Sequence, residues 1–422
     1  MSRFLRRRLG GLSAAALAVV ALAAAHRAIT PAAPRCTPGN GGLTLPPGFC
    51  AVIVGDHLGA VRHLVVAPNG DLFAATDGRG GGVLALRDTD GDGVADVKKR
   101  FGIGAGGTGI ALADGHLYFA SDARIVRWEW KAGQLEPAGA AESIVDDLPA
   151  GGDHTSKSIV LDGHGRLFVN VGSATNSCQE RNRERRSPGR NPCAEVETRA
   201  GIWRFSADTP HQTRQSGVHY ARGLRNTVAL ALQPGTGALW GASHGRDQLG
   251  DNWGFTDKQN ANNPAEEFVQ IEQGDDFGWP YCYFSDDAKA KVLAPEYGGD
   301  GTRADRCADR KAPALAFPGH WGPMDLAFYP GDGFGLAYAG GAFLAFHGSW
   351  NRAPLPQAGY RVVFIPFIDG RPAGTWGDFA LGRAGGAGIR PSGLAVGPDG
   401  SLYVAADQNG TIWRIFPNRS GS

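Results

Sequence analysis

The chain has 422 residues, 42% of them hydrophobic, and a net charge of +1 at pH 7. That balance excludes the strongly basic surface of a nucleic-acid binder and supplies enough apolar residues for a large core. It contains 64 glycines, about twice the usual share of roughly 7%. They favour tight turns between short strands over helices, where each interior glycine costs about 1 kcal/mol relative to alanine.

At the N-terminus Arg6, Arg7 and Arg8 precede an alanine-rich apolar run over residues 12–25. Ala23 and Ala25 supply the small residues of a cleavage site before His26. This is the order of a secretory signal, and the run is short for a membrane span of about 20 residues. Residues 1–25 are therefore expected to be a signal peptide, 26–44 an N-terminal linker and 45–418 the folded domain. The expected location is periplasmic or secreted, with no stable membrane insertion after cleavage. Six cysteines agree with an oxidising compartment. Six thiols allow fifteen pairings in principle. Short loops favour neighbours in sequence: Cys36 with Cys50, Cys178 with Cys193, and Cys282 with Cys307. No CxxCH or zinc-type spacing occurs, which excludes a built-in c-type haem.

The stretch RDTDGDGVAD places Asp88, Asp90, Asp92 and Asp96 at positions one, three, five and nine of a calcium loop, with Gly93 at its sharp turn. Lys99 stands where a full EF-hand has its bidentate glutamate. The expectation is a structural metal clip at a hairpin tip; the alternative is an ordinary acidic turn.

From residue 64 onward one pattern recurs: apolar residues, a Pro/Asp/Gly turn, then a second apolar run. It is LVVAPNGDLFAATDG from Leu64, IALADGHLYFASDARIVRW from Ile110 and IVLDGHGRLFVNVGS from Ile159. It returns as LALQPGTGALWGASHG from Leu230, LAFYPGDGFGLAYAGGAFLAFHGS from Leu326 and GLAVGPDGSLYVAADQNGTIWRI from Gly393. Each copy is a strand, a tight turn and a strand. Six copies predict an all-β chain folded as a six-bladed β-propeller. Uneven spacing puts long loops within 178–222 and 247–327, a length that goes with function. The sequence has no GxSxG elbow, P-loop or GxGxxG after a strand, which argues against hydrolase, nucleotide and nicotinamide chemistry.

Five stretches occur in a telling order: GGDHTSKSIVLDGHGRLFVNVGS, GLRNTVALALQPGTGALWGASHGRD, GDDFGWPYCYF, HGSWNRAPLPQAGYRVV and RPSGLAVGPDGSLYVAADQNGTIWRI. Together they resemble the soluble PQQ-dependent sugar dehydrogenases, and most of all the branch called L-sorbosone dehydrogenases. The likeness runs from Leu45 to Phe416. It implies pyrroloquinoline quinone (PQQ) and Ca2+ as cofactors, a sugar or sugar-derived aldehyde as substrate, and an external electron acceptor as partner. It also implies that His154, after Asp153, is the base that takes a hydroxyl proton while hydride leaves carbon, a task suited to imidazole. Arg225 and Asn226 match the pair beside the quinone, where a fixed cation favours growing negative charge. Arg390 matches an arginine that meets a PQQ carboxylate, and Arg352 stands near the place of a cofactor lysine whose aligned residue is Ser349. Gly245 and Arg246 take the place of backbone carbonyls on calcium, with Asp247, Asp251 or Glu266 available to complete an oxygen shell.

The chain departs from the family pattern at that lysine, at Ser173, which aligns with the aspartate that orients the base, and at an early glutamine, which falls in the glycine run from Gly104. The basic segment QERNRERRSPGRNPC is either a solvated face or a lure for an anionic cofactor or acidic acceptor. Trp279, Tyr281, Trp321 and Trp350 either pack between blades or wall a sugar site. Two rival functions stand beside the dehydrogenase: a calcium-dependent lactonase-type propeller hydrolase, and a propeller that binds a partner without chemistry.

Overall fold

The computed structural model describes residues 34–382 and 388–418, so the expected signal peptide lies outside the described residues. Six antiparallel sheets, five of four strands and one of five, form the blades of a propeller. Their innermost strands are Val61–Val66, Gly107–Ala113, Ile159–Leu161, Ala229–Leu232, Pro323–Phe328 and Pro391–Val396, which define blades 1 to 6. Each inner strand packs against the next, and the sixth against the first, so the ring is closed. Each sequence repeat holds the two inner strands of one blade, and the copies from Ile110 and Gly393 run on into the third. Blade 6 takes its outermost strand, Phe49–Gly55, from the other end of the chain, where it pairs with Thr411–Pro417. Leu43–Thr44, within the segment expected to be linker, pair with Gly377–Gly382 as a fifth strand of blade 5.

Packing explains why the strands are apolar on both faces. In Leu72–Thr76 every residue is buried. Successive side chains point to opposite faces of a strand. Leu72 and Ala74 accordingly pack with Ala395 and Tyr403 of blade 6, while Phe73 and Ala75 pack with Ile110 and Phe119 of blade 2. The same division gives a separate apolar cluster at each of the six blade interfaces. Polar staples cross them. Asp325 of blade 5 accepts the backbone N–H of Leu394 in blade 6 at 2.7 Å, and Ser392 Oγ donates to the Val61 carbonyl of blade 1 at 2.8 Å.

The tight turns of the repeats lie at one rim, called lower. The inner strands begin at the other, upper rim, and there the long insertions 172–200 and 244–265 rise. Segment 272–314 starts at the lower rim and climbs beside blade 3, donating from Gly274, Phe277 and Trp279 to the carbonyls of Tyr220, Arg222 and Gly223. The three disulfides join the expected neighbours in sequence: Cys36–Cys50, Cys178–Cys193 and Cys282–Cys307. No helix among the described residues is long and apolar enough to cross a membrane.

Asp325 is 5% exposed and also accepts the N–H of Leu326. Asp325→Ala should leave these buried donors unsatisfied and lower stability by about 1–3 kcal/mol in urea unfolding.

Candidate active site

Four upper-rim segments bring the predicted residues together. His154 lies in the link from blade 2 to blade 3, and Arg225 and Asn226 in the link from blade 3 to blade 4. Residues 172–200 and 244–265 are the insertions beside them. Gly172 is the hinge of the arrangement: a Cβ there would stand 2.6 Å from His154 Cβ and 2.8 Å from Asn226 Oδ1. Only a glycine lets the histidine and the amide close on the same backbone.

The tautomer of His154 follows from its partners. Nδ1 lies 3.0 Å from the Ser173 carbonyl oxygen and 2.9 Å from Ser173 Oγ. A carbonyl only accepts, so Nδ1 carries the proton. Ser173 directs its own hydroxyl hydrogen to the Thr175 carbonyl at 2.7 Å, which leaves Oγ a second acceptor. Nε2 is therefore the basic atom. Burial first, then the charge of Arg225, holds the imidazole well below its ordinary value. Asp153 turns away from the ring, accepting from Arg183 Nε at 2.8 Å and from Asn182.

Arg225 is 4% exposed. Its Nε donates to the Asn176 carbonyl at 3.0 Å, Nη1 to the Gly245 carbonyl at 2.8 Å, and Nη2 to Asn176 Oδ1 and Asp247 Oδ2, both at 2.9 Å. A guanidinium has five N–H groups; these bonds leave one, on Nη1. Asn226 accepts from Asn170 Nδ2 at 3.2 Å, which leaves its own amide hydrogens as donors. Asp247 is shared with Arg183 at 3.2 Å and lies 3.7 Å from His320 Nδ1. Although burial opposes it, the charge of Arg225 holds the Asp247 carboxyl far below the usual range. Arg183 thus bridges Asp153 to Asp247. It comes from the basic segment closed by Cys178–Cys193, which gives that loop a defined place in the site.

A second chain of charges returns to the same segment. Arg390 Nη1 lies 3.3 Å from His347 Nδ1, His347 Nε2 lies 2.9 Å from Asp407, and Asp407 pairs with Arg62 at 2.8 Å. Arg62 Nη2 reaches Ser156 Oγ at 3.4 Å, two residues from His154. Arg62 lies outside the motif stretches, and His347, Asp407 and the wholly buried Lys157 lie within them without an assigned role. The ring closure makes Arg62, His347 and Asp407 neighbours, while Lys157 donates to the Thr155 carbonyl. Arg352 lies on the same rim but clamps the carbonyls of Ala261, Gly319 and Pro356.

Arg246 is buried against Glu296 at 2.7 Å. Glu266 accepts the N–H groups of Gly245 and Gly322, and burial pushes its carboxyl up to about 7. The aspartate loop sits elsewhere, between the third and fourth strands of blade 1 at the lower rim. Carboxylates of Asp88, Asp90 and Asp96 lie within 4.8 Å of one another. Asp92 stands outside that trio and accepts the N–H of Val94.

PQQ is a flat tricarboxylate, and the upper rim has the matching electrostatics. His154 and His244 are both held down, first by burial and further by Arg225, His244 to about 4, so both imidazoles are neutral at pH 7. Arg62 Nε is buried with no protein acceptor. Calcium fits less well. The Gly245 carbonyl accepts from Arg225, and both Glu266 oxygens accept backbone N–H groups.

A profile of the TrAA12-like family matches residues 43–418, and the chain belongs to that family. It is 31% identical over 193 residues to a pyrroloquinoline quinone-dependent pyranose dehydrogenase of Coprinopsis cinerea, covering 36% of this chain and 25% of that protein. It is 23% identical over 423 residues to a pyrroloquinoline quinone-dependent sugar dehydrogenase of Hypocrea jecorina, covering 90% and 92%. An uncharacterised protein of Borreliella burgdorferi matches at 27% over 205 residues, 48% of its length. The chain thus spans about half or less of two of these curated relatives. A calcium structure of the Trichoderma reesei family AA12 enzyme superposes with a TM-score of 0.74 at 19% identity, covering 90% of this chain and 98% of that one. The PQQ domain of the Coprinopsis enzyme, in its holo form, gives 0.72 at 20%, covering 91% and 98%. These structures share the fold.

Asp247→Asn should leave the Arg225 charge buried without its counter-ion. We expect a loss of about 3–5 kcal/mol in urea unfolding at pH 7.

Proposed function

We propose that this chain is a PQQ-dependent sugar dehydrogenase. Its substrate would be the anomeric hydroxyl of a pyranose or the hydrate of a sugar-derived, sorbosone-like aldehyde. Electrons would leave to an external acceptor in the periplasm or outside the cell. The named activities of the Coprinopsis and Hypocrea relatives support this reading. The observation that carries it is His154, whose Nδ1 is committed to Ser173 so that Nε2 can accept a proton beside Arg225 and Asn226. Asp153, Asp247 and Asp407, three carboxylates of the upper rim, are each paired with an arginine, which counts against a metal-dependent lactonase.

When bound, the quinone supplies the hydride acceptor. His154 Nε2 takes the proton of the substrate hydroxyl as its C–H bond breaks. Ser173 keeps the proton on Nδ1 and the ring in place. Arg225, Asn226, Arg62 and Arg390 would hold the anionic cofactor, Arg225 by charge and one free N–H, Asn226 by its amide. Because Arg225 occupies the Gly245 carbonyl, no step is assigned to calcium.

The purified protein, incubated with PQQ with and without Ca2+, should reduce a dye with pyranoses or a sorbosone-like aldehyde. His154→Ala should still bind PQQ in a titration yet lose about 10²–10⁴ in kcat. Wild-type protein that binds no PQQ would overturn the reading.

The base also has a pH signature. With its pKa held low, His154 is unprotonated through mildly acid pH, so kcat/KM should persist below pH 6.5. Ser173→Asp supplies a counter-charge that favours the imidazolium. Its acid limb should move up by about one to three pH units.

A further inference from the structure

Of the four aromatic residues that could wall a sugar site, the structure singles out one. Trp279 and Trp321 are each 6% exposed, and Arg361 covers the Trp321 ring at 4.5 Å. Tyr281 lies under Arg306, whose guanidinium is 3.8 Å from the ring centroid. Trp350, by contrast, is 60% exposed.

That exposure is built. Ser349 and Asn351, on either side of Trp350, are 2% and 7% exposed. Ser349 is held by four hydrogen bonds: its N–H to the Ala358 carbonyl, its Oγ to Gln357, the Ala358 N–H to its Oγ, and the Tyr360 hydroxyl to its carbonyl. The Asn351 carbonyl accepts from Asn260 Nδ2 at 2.9 Å, and Arg352 clamps the next turn. A large apolar ring is thus displayed to solvent from a backbone pinned on both sides, against the burial that its hydrophobicity favours.

A charged neighbour locates it. The Arg183 guanidinium lies 5.9 Å from the Trp350 centroid, and the same group pairs with Asp153, next to His154, and with Asp247, next in the network to Arg225. The ring therefore stands at the mouth of the site, beside groups that can bond hydroxyls.

We propose that Trp350 is a specificity-determining platform on which the C–H face of a pyranose ring of the substrate stacks. This rests on the dehydrogenase reading for the identity of the reaction, but not for the binding itself. Flat aromatic faces suit the apolar side of a sugar, and the polar rim around Arg183 suits its hydroxyls. A partner protein seated on the same ring is the competing occupant.

The test compares wild type, Trp350→Phe and Trp350→Ala, all folded to the same thermal midpoint. In the PQQ-loaded protein, Trp350→Ala should raise KM for a pyranose about three- to tenfold with kcat little changed. Trp350→Phe should recover most of the loss, and KM for a short acyclic aldehyde should not move. In protein without PQQ, titration with the pyranose should quench tryptophan fluorescence in wild type and not in Trp350→Ala. Unchanged pyranose KM and unchanged quenching would overturn the platform. So would a defect confined to reduction of a protein acceptor, which would give the surface to a partner. Quenching lost in Trp350→Ala, in a wild type that never reduces dye, would keep the platform and remove the dehydrogenase.

Discussion

A guanidinium removed from water must have its N–H groups met, and that demand at Arg225 organises the upper rim. Its acceptors come from Asn176 in one insertion and from Gly245 and Asp247 in another, so two loops from blades 3 and 4 converge on one side chain. Asp247 then recruits Arg183, and Arg183 recruits Asp153 from the next link. Burial first, and then the Arg225 charge, keeps His154 neutral. The convergence that buries Arg225 also buries the imidazole beside it, and a neutral base suits a site that removes a proton.

The propeller makes such convergence possible. Each blade is too thin to have an inside of its own and must bury both faces against neighbours, so the inner strands are fixed to a common axis by six interfaces rather than by one core. Links at the upper rim are then delivered to one place whatever their separation in the chain. Arg62 and Asp407, on opposite sides of 345 positions, form an ion pair for this reason.

The fold was legible because its repeats are local: a strand, a turn that needs Asn, Asp or Gly, and a strand are visible within a short window. The three cysteine pairs were legible for the same reason. The site was legible only where a motif reaches across a few residues, as in the links carrying His154 and Arg225. Arg183 was hidden in a run of arginines that looks alike from end to end; only the folded loop sets its guanidinium between Asp153 and Asp247. Gly172 carries no positive-φ signature, and its role appears only when His154 and Asn226 stand on either side. The aspartate loop was the loudest signal, yet its place in the third hairpin of blade 1 puts it on the rim opposite the chemistry. Charge density in a sequence says little about which end of a strand it occupies.

Blade 6 has a consequence for the order of events in the life of the chain. Phe49–Gly55 is made before the strands of blade 1, and its partner, Thr411–Pro417, only after the inner strands of blade 6. Until the C-terminal strands exist the early one has no neighbour to bond, and the inner strands of blades 1 and 6 cannot meet. Closure thus waits until all six blades have been made, and a chain cut short before blade 6 would leave an open, edge-exposing arc rather than a smaller ring.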